Sequence, residues 1–132
     1  MLKTLYLPIK KQWFDLIKAG IKTEEYRDDT PFYQSRLICQ TKDQEKDSYD
    51  LIYGGNIIGG VNHLAIQKMR RYDFIEFRNG YAKNAPKIRF KNPRTRYDYG
   101  KPEWGAEPGK LYFVITWETY RNRKLTYKEK TK

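Results

Sequence analysis

The chain has 132 residues, 39% of them apolar and 16% aromatic, with twelve tyrosines. That length supports one domain able to bury roughly two-thirds of its unfolded surface. One cysteine, Cys39, and one histidine, His63, exclude an internal disulfide and a Cys/His zinc site, and no metal or cofactor is expected. No apolar run is long enough to span a membrane, and Met1-Leu2-Lys3-Thr4-Leu5 does not read as a secretory signal, so a soluble, reduced, cytoplasmic setting is expected.

Lys3 to Leu7 alternates as a short strand, with Pro8 expected to end it. Lys10 to Ala19 reads as a helix, with Trp13, Leu16 and Ile17 at helical spacing and Gly20 where a C-terminal cap belongs. Lys22 to Arg27 follows as a strand, and Thr30-Pro31 opens a short helical turn through Phe32, Tyr33 and Leu37. Gln40 to Gly60 is polar and glycine-framed, a long loop or inserted hairpin, and Val61 to Arg71 is read as a short helix. Strand signals return at Asp73 to Arg78, closed by an Asn79-Gly80 turn. Lys87 to Lys91 and Arg94 to Tyr99 look like one strand broken at Asn92-Pro93. Gly100 to Gly109 is a loop, and Leu111 to Glu118 is the strongest strand. The whole reads as a single domain over 1–119, with an insert over 40–70 and a basic, flexible tail over 120–132. The fold class is α+β, with a small curled sheet or barrel.

Charge is the first functional signal. Lysine and arginine number 27 against 16 aspartate and glutamate, a net +11. Residues 1–66 are balanced at nine of each sign, so the whole excess lies in 67–132. A one-sided field of this size concentrates polyanions, whereas solubility alone does not require a single sign.

Three constellations carry chemistry. In Gly20-Ile21-Lys22-Thr23-Glu24-Glu25-Tyr26-Arg27, strand alternation puts Thr23, Glu25 and Arg27 on one face, with Lys22 at the turn free to reach over it. Such a group can read a base edge or polarise an amide; its ordinary alternative is a surface ion-pair cluster. The loop from Gly100 to Gly109 holds Lys101 and Trp104, flanked by Glu103 and Glu107, and a constrained indole can stack on a base or fold back as a lid. The ribbon carrying Arg89, Lys91, Arg94 and Arg96 makes a basic stripe suited to phosphates, with Ile88 and Phe90 turned inward. His63 alone would have to carry any Ser-His-Asp or Cys-His device, and Gly54-Gly55 and Gly59-Gly60 lack the ending of a phosphate loop.

The segment Gly20 to Arg27 resembles the G-x-K-x-x-E-x-R signature of ASCH domains, relatives of the PUA fold. Phe77-Arg78-Asn79-Gly80-Tyr81 and Gly100-Lys101-Pro102-Glu103-Trp104-Gly105-Ala106 are similar to the matching parts of small bacterial and phage members. The resemblance covers 1–38 and 72–118. It implies a small PUA-like β-barrel with flanking helices and a signature-lined cleft facing RNA, single-stranded nucleic acid or a nucleoside. Lys22, Glu25, Arg27 and Trp104 are expected to meet around that cleft. Some members are amidohydrolases on N4-acylcytidine; in that case, or for a ribonuclease, Lys22, Thr23 and Glu25 would carry the catalysis. Glu25 stands where the hydrolases place a threonine, and a carboxylate is the poorer acyl acceptor. A protein-interaction adaptor using insert and tail is the third reading.

Overall fold

The structure, a computed structural model, describes residues 2–58 and 61–119, and among these the side chains outside 52–65. The expected basic tail from Tyr120 and the Gly59-Gly60 pair lie outside the described residues, as does the side chain of His63. The elements are β1 (Thr4–Ile9), α1 (Lys11–Lys18), β2 (Glu24–Arg27), α2 (Pro31–Leu37), α3 (Lys42–Glu45), β3 (Ser48–Ile58), β4 (Val61–Arg70), β5 (Phe74–Asn79), β6 (Lys87–Tyr99) and β7 (Leu111–Glu118), with a 3₁₀ turn at Pro102–Trp104.

Five strands are hydrogen-bonded in the order β1-β5-β6-β7-β2, and β3 and β4 form a separate two-stranded sheet. The α+β class is as expected. Closure into a barrel is not observed, because the larger sheet ends on two edge strands, β1 and β2. No helix among the described residues is long and apolar enough to cross a membrane. The chain divides into two compact units: Met1–Glu25, Tyr72–Arg94 and Thr116–Lys132 in one, Tyr26–Arg71 and Thr95–Ile115 in the other.

In the first unit β1 runs parallel to β5, and β5 antiparallel to β6. Leu5 and Leu7 pair with Ile75 and Phe77, which in turn face Phe90 and Ile88, so one side of these strands is apolar. Phe77, Phe90 and Trp117 join there, with ring centroids 4.9 to 6.2 Å apart. α1 buries Phe14 and Ile17, which share a face at i and i+3, and Trp13 is only half-buried. Pro8 does not end β1. The strand continues to Ile9 because it lies at the sheet edge, where a missing N–H costs no ladder bond.

In the second unit the expected helix over Val61 to Arg71 is instead β4, paired antiparallel with β3 from Ser48↔Arg70 to Ile58↔Val61. A short apolar run cannot by itself distinguish helix from strand, and here the partner strand decides. The hairpin base is tied to α2: Arg70 donates to the Ser35 carbonyl at 3.1 Å, and the Cys39 N–H to that of Lys68 at 2.9 Å. Met69 is fully buried. α2 opens as expected, its Thr30 hydroxyl accepting the Tyr33 N–H at 3.4 Å with Pro31 in the first turn.

β6 is not broken at Asn92-Pro93. Asn92 takes φ 55° and the strand runs on. Before it Lys87, Arg89 and Lys91 are exposed; after it Pro93 and Thr95 are buried, and Arg94 is exposed. That change of parity is what one extra residue in a strand produces.

Candidate functional site

The signature segment is positioned by a helix cap. Gly20, at φ 77°, donates to the Ile17 carbonyl at 3.0 Å, and the Ile21 N–H reaches back to Leu16 at 2.9 Å. These two bonds are a Schellman motif, and only glycine takes that left-handed turn without a Cβ penalty. The Lys22 N–H also donates to the Leu16 carbonyl, at 3.1 Å. The turn therefore exposes Ile21 and drives Lys22 inward, where it is 1% exposed.

Lys22 is thus not the free arm expected at a turn. Its ammonium lies 3.2 Å from Glu25 Oε1 and 5.3 Å from the Trp13 ring centre, with the two paired side chains 0% and 9% exposed. Removing two charges from water costs several kcal/mol per ion, and mutual attraction offsets this only with good geometry and further hydrogen bonds. β2 begins at Glu24, not at Lys22, so Thr23 precedes the strand; Glu25 and Arg27 lie two residues apart on it.

Arg27 belongs to the second unit. Its Nη1 donates to the Tyr33 hydroxyl at 2.8 Å, and its guanidinium carbon lies 5.5 Å from that ring centre. Asp29, two residues on, accepts from Gln34 Nε2 at 2.7 Å and from the Tyr97 hydroxyl at 3.1 Å. Tyr33, Asp29 and Tyr97 were not singled out from the sequence. Only Tyr33 carried a signal, as N3 of a helix whose Thr30-Pro31 cap is legible.

The Trp104 loop is built in the same unit. Gly105 at φ 98° ends the 3₁₀ turn that carries the indole. Lys101 sits over Trp104, its ammonium 4.4 Å from the ring centre, and Trp104 is half-exposed. Glu103 and Glu107 point to solvent, while the Glu107 N–H donates to the Tyr112 hydroxyl at 2.9 Å. A base stacking on Trp104 would take the face opposite Lys101 or displace it.

Of the basic ribbon, Arg89 and Lys91 are exposed on β6, as is Arg94. Arg89 meets Glu76 at 3.2 Å and lies over the Phe74 ring. Arg96 is engaged by Asp98, Nε to Oδ2 at 3.1 Å, which holds the Asp98 carboxyl below the usual carboxylate range.

A helix closed by a glycine cap, a buried Lys–Glu pair at its exit, an arginine two residues along the strand and an aromatic loop before the last strand define an α+β domain with a polar signature segment. The family model described as ASCH domain matches residues 7–107. The chain belongs to the ASCH-domain family. No curated protein and no solved structure matched it.

Proposed function

We propose that this protein binds RNA or a modified nucleobase through its signature segment: the Lys22–Glu25 pair fixes that segment within the first unit, and within the second Arg27 is a polar reader and Trp104 a stacking residue. The observation that carries this reading is the buried Lys22–Glu25 pair. A well-packed apolar pair would serve stability as well or better, so we read a charged pair at this position as kept for the function of the segment it holds. The family is mostly assigned to nucleic-acid binding, and the positive second half of the chain complements phosphate. Tyr33 holds the Arg27 guanidinium, whose planar fork suits base edges and phosphates.

Hydrolysis of an acylated cytidine is the weaker reading. The side chain in the threonine's place, Glu25, is engaged with Lys22, and a carboxylate so held is a poor acyl acceptor.

Titration of short single-stranded RNA and of N4-acetylcytidine into the full chain tests the proposal. RNA affinity should fall steeply with salt, and Arg27→Ala should weaken it about tenfold or more. Binding of neither ligand, or RNA affinity flat across the salt series, overturns the reading. Turnover of N4-acetylcytidine that is lost in Lys22→Ala would replace it with the hydrolase.

A further inference from the structure

The first unit carries a second set of groups that the signature does not use. Strand register places Tyr6, Glu76 and Arg89 in one row across β1, β5 and β6, with Pro8, Arg78 and Lys87 in the next. Lys91 lies two residues beyond Arg89 on the same face of β6, opposite Phe74. This is the side turned away from Phe77, Phe90 and Trp117.

Lys87, Arg89 and Lys91 are all exposed. They repeat every second residue, about 6.7 Å apart along an extended strand, comparable with successive phosphates of an extended single strand. The acidic group in these rows, Glu76, is largely covered and already engaged by Arg89. Tyr6, in the same row, is 57% exposed, an aromatic face open to solvent on an edge strand. Arg78 Nε is buried without a hydrogen-bond partner among the described residues, an unusual state for a guanidinium N–H.

We infer that this face of β1, β5 and β6 is a track for single-stranded RNA, with Lys87, Arg89 and Lys91 on successive phosphates and Tyr6 stacking a base. The inference rests on the nucleic-acid reading for the class of partner, but on residues outside the signature. Positive charge at phosphate spacing beside an open aromatic ring is the complement of a single strand, and a duplex would offer no free base to Tyr6.

Fluorescence anisotropy of a labelled uridine oligomer with the full chain, across a salt series, tests it. Replacing Lys87, Arg89 and Lys91 together by alanine should weaken binding at least about tenfold and flatten the log–log salt slope by about 2, at roughly 0.7 per lost phosphate contact. Lys87→Arg with Lys91→Arg should keep the slope. Tyr6→Ala should weaken binding roughly 5- to 100-fold with the slope unchanged. Circular dichroism and Tm confirm that each variant is folded. Unchanged slope and affinity in the triple variant, with wild-type RNA binding intact, overturn the track and leave the signature reading standing. Absence of RNA binding by the wild type overturns both. Equal competition by polyglutamate overturns the RNA assignment in favour of an acidic protein partner.

Discussion

Tyr26 and Gly100 are in such close contact that no side chain fits between them. A Cβ on Gly100 would stand 2.7 Å from Tyr26 Cε1 and 2.6 Å from the Ala106 Cβ. The ring cannot easily yield. Its hydroxyl accepts the Lys101 N–H at 2.9 Å, and it packs at 5.7 Å, centre to centre, against Tyr112. Tyr26 thus anchors the start of the Trp104 loop. Gly100→Ala should destabilise the protein by about 1–3 kcal/mol through overpacking. Urea denaturation of the two proteins measures this, and an unchanged midpoint would show that the loop shifts without cost.

The Lys22–Glu25 pair leads to a double-variant prediction. Glu25→Leu leaves a buried ammonium without its counter-charge and should cost about 3–5 kcal/mol. Lys22→Met should cost a similar amount by stranding the carboxylate. The double variant Lys22→Met/Glu25→Leu should recover most of the loss, since each single change includes the penalty of the abandoned partner. Denaturant titration at neutral pH reads all three, and additive losses would mean that the two groups are held by other neighbours and not by each other.

Gly20 offers a backbone test free of packing effects. Nothing lies within 4 Å of a Cβ placed there, so Gly20→Ala introduces no clash with its surroundings. Its φ of 77° still disfavours a side chain, and the cost should be about 1–2 kcal/mol. Gly20→Asn should cost less, because asparagine visits this region more readily. Thermal melts of both variants decide it; equal losses would point away from the left-handed cap.

Asp98 sets a pH dependence. Its carboxyl is held below its ordinary range, first by the Arg96 side chain and then by the Tyr99 N–H. The stabilisation is therefore present above the unfolded-state value, about 3.9, and disappears as pH falls through the lower folded-state value. Both side chains of the Arg96–Asp98 pair are nearly half exposed, so Asp98→Asn should cost only about 0.2–1 kcal/mol at neutral pH. That difference should vanish in strong acid. A gap between wild type and variant that widens on acidification would contradict the assignment.

Features that depend on a few neighbouring residues were legible in the chain. The Gly20 cap, the Thr30-Pro31 helix start, the Asn79-Gly80 turn and the strand from Leu111 to Glu118 are each dictated by residues within one turn or one run of alternation. The Lys22–Glu25–Arg27 spacing and the one-sided charge belong to the same class. What required distant partners was decided by tertiary structure. Val61 to Arg70 became a strand because β3 offered a ladder, and β1 ran through Pro8 because, among the described residues, it lies at the edge of its sheet. The exposed positions of β6 changed from odd to even numbers where Asn92 adopted a left-handed conformation. Lys22 was withdrawn from water by a backbone return to Leu16 and by the Trp13 ring. Local torsions and periodicity act over a few residues and can be read directly. Burial, strand partnership and the fate of a charge depend on which remote surfaces arrive beside them, and that is settled only when the chain has folded.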